Sequence, residues 1–229
     1  MLTAFKSYLT TLCNACSYLL NELSIRYLFM ERPSGYHHDG SHNIAGSFDL
    51  VTRNWTRLSS ATGLFCSGHS LTFNGSVVVM GGHVANAGYP DGRRSIRLFT
   101  DGDEGLAESS KMKYPRWYAT VTLLPNHKLL AYGGTQGAGA GTPVNPYYEV
   151  WDQNNPEFTQ ILQVHPDYLR TVKQNYYPFI YVLPTGDVFS WCGRTGWIFD
   201  PLTATYKVGW LVLEEVETPI MVFTFGSPS

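Results

Sequence analysis

Three stretches decide the fold: HSLTFNGSVVVMGG (69–82), ATVTLLPNHKLLAYGG (119–134) and PFIYVLPTGDVFSWCG (178–193). Each reads as an apolar alternation, a short polar turn, a second apolar run and a closing glycine. That is the pattern of a β-hairpin, turning at Asn74-Gly75, Pro125-Asn126 and Pro184-Thr185-Gly186. The closing glycines fall at 82, 134 and 193, spacings of 52 and 59. A second element recurs between the hairpins: GSFDLVTRNWTRL (46–58), YYEVWDQNNPEF (147–158) and GWIFDPLTATY (196–206), with SIRLFTDGD (95–103) as a divergent copy. Each copy is a short apolar strand, an acid and a turn. Two different elements recurring in one order every ~50 residues point to kelch-type propeller blades rather than a sandwich with chance similarities.

The totals agree with an all-β chain. Of 229 residues, 15% are charged and 14% aromatic, with 22 glycines and 13 prolines. Few charges, many aromatics and abundant turn formers favour strands over helices. A net charge of -2 excludes an ordinary polybasic nucleic-acid binder. No apolar run reaches the ~18 residues of a membrane-spanning helix. Four cysteines, Cys13, Cys16, Cys66 and Cys192, are too few for a disulfide scaffold. The sequons at Asn54 and Asn74 fit a secreted chain, although two such matches arise readily by chance. Residues 1–26 form a poor signal region, without a long apolar stretch and a small-residue cleavage site.

The repeats divide the chain into blades at 27–58 (part of one), 64–103, 111–155 and 172–206, after which 207–229 lose the pattern. The expectation is an incomplete propeller of about three and a half blades, with 27–206 as its body. Loops converge at one end of a propeller axis, so residues distant in sequence can meet there. Each hairpin is headed by a stretch rich in reactive side chains: Phe65-Cys66-Ser67-Gly68, Arg116-Trp117-Tyr118 and Asn175-Tyr176-Tyr177-Pro178.

These three motifs, in this order, resemble the copper radical oxidases, the family of glyoxal oxidase and galactose oxidase, on the glyoxal oxidase side. The resemblance runs from about Tyr27 to about Tyr206 and would cover the N-terminal part of a seven-bladed catalytic propeller. It implies a secreted enzyme that oxidises small aldehydes or primary alcohols with O₂, yielding hydrogen peroxide. The cofactors implied are one copper and a tyrosine radical cross-linked through a thioether. Carried over, Tyr118 would be the radical-bearing metal ligand and Cys66 its cross-link partner. Tyr177 would be the second metal ligand and the base that takes the substrate proton. Tyr176 competes with Tyr177; the latter directly precedes Pro178, as the family motif does. Copper(II) suits phenolates joined by imidazoles.

The departure is equally specific. The family completes its copper site with two histidines from later in the chain. The seven histidines here, at 37, 38, 42, 69, 83, 127 and 165, lie in no corresponding motif. The expectation is therefore a truncated chain, inactive alone. Two alternatives stand beside it: a kelch-type binding module for carbohydrate or protein, and a defective gene model. His69 and His83 flank the second blade's hairpin, near the expected site; a supporting or substrate-contacting role is one reading, and a loop hydrogen bond is the plainer expectation. Arg93, Arg94 and Arg97 could orient a carboxylate or carbonyl substrate, or belong to a solvated turn. Trp117 could shield the Tyr118 ring or pack in the core. Cys13-x-x-Cys16 has no second pair to make a zinc site. Gly137–Gly141 lacks the Lys-Ser/Thr of a phosphate loop.

Overall fold

The computed structural model describes residues 17–21, 24–33, 44–139, 141–171, 175–212 and 221–225. Four antiparallel meanders follow one another. The first is β1 (Ser17–Asn21), β2 (Ser24–Met30), β3 (Ala45–Asp49) and β4 (Trp55–Ser60). The second is β5 (Gly68–Leu71), β6 (Val77–Met80), β7 (Ser95–Phe99) and β8 (Gly105–Lys111). The third is β9 (Trp117–Leu123), β10 (Leu129–Thr135), β11 (Tyr147–Trp151) and β12 (Thr159–Gln163), followed by the short helix α1 (Pro166–Thr171). The fourth is β13 (Phe179–Val182), β14 (Val188–Cys192), β15 (Thr195–Asp200) and β16 (Thr205–Val212), with β17 (Met221–Phe225) on β16. The first strands of successive meanders lie side by side: β1 by β5, β5 by β9, β9 by β13. This is an incomplete β-propeller, and its second, third and fourth blades open with the three hairpins legible in the sequence.

The first blade is fuller than its sequence indicates. Ser17–Met30 contains no glycine or proline to mark a turn, yet β1 pairs with β2 from Ser17↔Leu28 to Asn21↔Ser24. The parallel bridge Ser59↔Gly105 and Ser60↔Leu106 joins the outer strands of the first two blades into one eight-stranded sheet.

The cores lie between blades, which explains the unbroken apolar runs. A strand covered on both faces needs no polar alternation. On β6, Val77 and Val79 pack with Leu28, Met30 and Leu58 of the first blade, while Val78 and Met80 pack with Val121, Leu129 and Ala131 of the third. On β10, Leu129 and Ala131 face the second blade, and Leu130 and Tyr132 face Val188, Cys192 and Phe199 of the fourth. β14 has one covered face and reverts to alternating burial.

The recurring acid closes the outer hairpin of each blade. Asp49 Oδ1 accepts the amides of Val51 and Thr52, Asp152 Oδ1 that of Asn154, and Asp200 Oδ1 that of Leu202. In SIRLFTDGD the cap comes from the far side, with Asp103 accepting from the Thr100 amide. These are Asx-type turns, which local hydrogen bonding makes favourable.

Among the described residues two arginines are buried. Arg116, fully covered, donates to the carbonyls of Gly133 and Tyr147 and pairs with Glu149 at 3.1 Å. Glu149, equally buried, also accepts the amides of Lys113 and Tyr114. Arg97 is no solvated turn residue: it is 1% exposed and donates to Thr62 Oγ1 and the carbonyls of Gly81, Gly63 and Gly92. Substituting Arg116→Met leaves the Glu149 carboxylate buried without its cation, and should cost about 3–5 kcal/mol. Urea unfolding of the two chains checks this; equal midpoints would contradict it.

Candidate functional site

The three motif heads meet because the chain turns left-handed at each. The backbone φ is 62° at Cys66, 64° at Tyr118 and 44° at Tyr177. Such angles are uncommon for residues with a Cβ and cost roughly 1–3 kcal/mol each. The other non-glycine residues with positive φ, Arg53, Ala87, His127 and Ala204, lie in short connections between strands. At Tyr118 and Tyr177 the amide is aimed at the preceding blade. Tyr118 N–H donates to the Cys66 carbonyl at 2.8 Å, and Tyr177 N–H donates to the Tyr118 carbonyl at 2.8 Å.

The paired glycines make room for this approach. Gly82 N–H donates to Arg116 O at 3.1 Å and Gly134 N–H to Asn175 O at 2.7 Å. A Cβ on Gly81 would stand 2.6 Å from the Arg116 carbonyl oxygen, and one on Gly133 2.5 Å from the Pro178 ring. The glycines that closed the first two hairpins in the sequence therefore seat the next blade's motif, whereas Gly193 meets no such neighbour.

Cys66, Tyr118 and Tyr177 come together at one end of the blades, among aromatic rings. The Tyr118 ring lies 4.9 Å from Tyr177 edge-to-face, 4.7 Å from Tyr176 and 4.3 Å from Trp117. Phe65 closes the group, edge-on to Tyr118 at 6.4 Å. Cys66 is in no disulfide and is 3% exposed, whereas Tyr177 is 40% exposed. Tyr177 Oη donates to the Ser67 carbonyl at 3.2 Å, and Tyr176 Oη to the Gly139 carbonyl at 3.3 Å. Both tyrosines thus join the aromatic group around Tyr118 through their rings.

His83 enters this group, the less favoured of the two places the sequence left open to it. Its imidazole is 7% exposed, sits edge-on to Phe65 at 5.2 Å, and accepts the Trp117 Nε1 proton on Nδ1 at 3.0 Å. Trp117 therefore both shields Tyr118 and is held from behind. Arg32 stands over the Phe65 ring, its Cζ 5.5 Å from the centroid. Of the other arginines, Arg93 is taken by Asp91 and the Gln136 carbonyl, and Arg94 by the Met112 carbonyl.

The remaining candidates lie elsewhere. His127 stacks on Phe73 at 3.5 Å, at the opposite end of the strands. His165 stacks on Trp197 at 3.8 Å. His69 is in β5. Cys192 is buried between the third and fourth blades. Cys13, Cys16, His37, His38 and His42 lie outside the described residues. A shallow groove lined by Asn126, Thr185, Asp187, Asp200 and Lys207 is also far from the motif heads, at the hairpin turns. Among the described residues no group of three or more His, Cys, Asp or Glu side chains could hold a metal, and no helix is long and apolar enough to cross a membrane.

The sequence model of the glyoxal oxidase N-terminus family matches residues 35–208. The chain belongs to that family, and so to the copper radical oxidases. Among curated relatives, this glyoxal oxidase-type chain is 24% identical over 167 residues to a putative aldehyde oxidase, Art an 7, of Artemisia annua, covering 71% of this chain and 27% of that protein. It is 26% identical over 158 residues to the aldehyde oxidase GLOX of Vitis pseudoreticulata, covering 66% and 27%. The chain thus spans about a quarter of the length of these relatives. A solved structure of a fungal alcohol oxidase in complex with copper shares the fold, with a TM-score of 0.61 over 83% of this chain and 40% of that one, at 15% identity.

Burial, with the nearby charges of Arg32 and Arg93, holds the His83 imidazole below its ordinary 6.5. The folded chain therefore takes up this proton at lower pH than the unfolded chain. The stability that neutral His83 contributes is complete above pH 6.5 and is lost as pH falls below it toward the folded value. Protonation also removes the acceptor for Trp117. His83→Phe should flatten this part of the acid-side loss, read from unfolding free energies at pH 7 and pH 5. Equal losses in both chains would contradict the assignment.

Proposed function

We propose that the chain carries the thiol-and-phenol part of a secreted copper radical oxidase site, for oxidising small aldehydes or primary alcohols with O₂. In this reading Tyr118 bears the radical, Cys66 forms the thioether to its ring, and Tyr177 supplies the second phenol. The observation that carries the reading is the convergence of three left-handed residues, joined amide to carbonyl from Cys66 to Tyr118 to Tyr177. Strained backbone persists where the surroundings enforce it, and it concentrates at functional sites.

The copper the family implies fits these residues in part. Two phenol oxygens are donors that copper(II) accepts, but tetragonal copper prefers nitrogen donors beside them. The one described imidazole in the aromatic group, His83, has its Nδ1 occupied by Trp117. The donor set is incomplete among the described residues, so no step is drawn through the metal. When bound, copper would supply one-electron redox chemistry.

The chain's own contributions follow from contacts. Trp117 and Tyr176 cover the Tyr118 ring and limit water at the carbon that would bond sulfur. Burial keeps the Cys66 thiol from competing oxidants. Tyr177 is the exposed phenol, and leaving the Ser67 carbonyl would free its oxygen as a ligand or a proton acceptor.

The test supplies what the described residues lack. The chain is incubated with copper(II), O₂ and excess free imidazole, and its intact mass is measured. The expected product has lost two hydrogens, one from the Cys66 thiol and one from the Tyr118 ring, with O₂ reduced to peroxide. The loss should vanish in Cys66→Ser and Tyr118→Phe. An unchanged wild-type mass, or the same loss in both variants, would overturn the reading. Without imidazole, a peroxide-coupled assay on methylglyoxal should show no turnover.

A further inference from the structure

The turn between β5 and β6 carries Asn74-Gly75-Ser76, a match to the N-glycosylation acceptor Asn-x-Ser/Thr. It takes no part in the chemistry above. The turn follows β5 whereas Cys66 precedes it, so the two lie at opposite ends of the strand. Two backbone bonds close the turn: Thr72 N–H donates to the Ser76 carbonyl at 2.8 Å, and Gly75 N–H to the Thr72 carbonyl at 3.0 Å. Gly75 sits at a φ of 87°, and a Cβ added there would meet nothing within 4 Å. Phe73, Asn74 and Gly75 are all exposed.

The Asn74 amide is held one way round. The Ser76 backbone N–H meets it at 3.3 Å, and because that group can only donate, the atom it meets is the carbonyl oxygen Oδ1. The Thr72 hydroxyl lies against the same oxygen at 2.5 Å. Among the described residues nothing hydrogen-bonds to the nitrogen Nδ2. A substituent on Nδ2 leaves Oδ1 an acceptor, so both turn contacts survive it. In the reversed amide the same substituent would stand against the Ser76 N–H and force the turn open. Ser76 completes the acceptor sequence with its hydroxyl, yet it is 6% exposed, with Oγ 3.0 Å from Thr100 Oγ1. The folded turn therefore accommodates a modified Asn74 while hiding the residue that the modification needs.

We propose that Asn74 Nδ2 carries an N-linked oligosaccharide, attached before β5 and β6 pair. The co-substrate is a lipid-linked oligosaccharyl diphosphate. Nδ2 bonds to the anomeric carbon of the first sugar, the bond from that carbon to the diphosphate oxygen breaks, Nδ2 gives up one proton, and the lipid diphosphate leaves with the electron pair. The product places a bulky, solubilising group beside Leu71 and Phe73, apolar side chains of the same hairpin that are 40% and 66% exposed. It stands away from Cys66, Tyr118 and Tyr177. The inference takes from the reading above only the secretory route, and nothing of its redox chemistry.

The full chain is expressed behind a cleavable secretion leader in a eukaryotic cell, and the product, secreted or retained, is mapped by peptide mass. Enzymatic release of the glycan in heavy-oxygen water marks the modified asparagine and separates it from spontaneous deamidation at Asn74-Gly75. The peptide holding Asn74 should carry the glycan, which Asn74→Gln abolishes and Asn54→Gln retains. Amide spectra with and without the glycan should agree outside residues 72–76. The folded, unmodified chain, offered to the transferase with its lipid-linked donor, should take up none. An unmodified Asn74, a glycan on Asn54 alone, spectral changes spreading along β5 and β6, or modification of the folded chain would each overturn the inference. A chain that forms the thioether but carries no glycan loses this inference alone. One that is glycosylated at Asn74 and never forms the thioether loses the reading of the site, while the modification stands.

Discussion

A backbone hydrogen bond handed from blade to blade holds the site together. The Cys66 carbonyl receives the Tyr118 amide, and the Tyr118 carbonyl receives the Tyr177 amide. The residues so joined, Cys66, Tyr118 and Tyr177, are all left-handed, and they are the three side chains to which the proposed site assigns roles. The strain is offset by what surrounds it: glycine pairs that let the motifs approach, a buried Arg116–Glu149 pair, and apolar cores on both sides of β6 and β10. Propeller geometry alone would bring loops to a common end. The amide relay fixes which atoms meet there.

Much of this was legible in the residues. Alternation and turn chemistry marked the hairpins, because a strand's two-residue period and the φ demands of Asn74-Gly75 are local properties. The recurring acids were visible as pattern, and the Asx turns at Asp49, Asp152 and Asp200 give their cause. The motif heads were visible as composition, and their convergence follows from the blade order.

What stayed hidden was set by tertiary contacts. Nothing local says that Arg97 is spent on four oxygen acceptors inside the protein rather than on solvent or substrate. The Trp117–His83 bond joins residues 34 positions apart, and it decides both the indole position and the imidazole tautomer. The first strand was missed because Ser17–Met30 has no turn signal, and its pairing is evident only in the sheet. The left-handed angle at Tyr118 falls inside β9, where sequence patterns predict extended backbone.

Amide hydrogen exchange addresses the relay most directly. If Tyr118 and Tyr177 donate to the carbonyls of the preceding motif, their amides exchange as slowly as those in the middle of β10, opening only with the blades. Exchange at either amide as fast as in the exposed Asn126–His127 turn would mean that the motif heads are not tied to one another, and the three side chains would have no enforced meeting point.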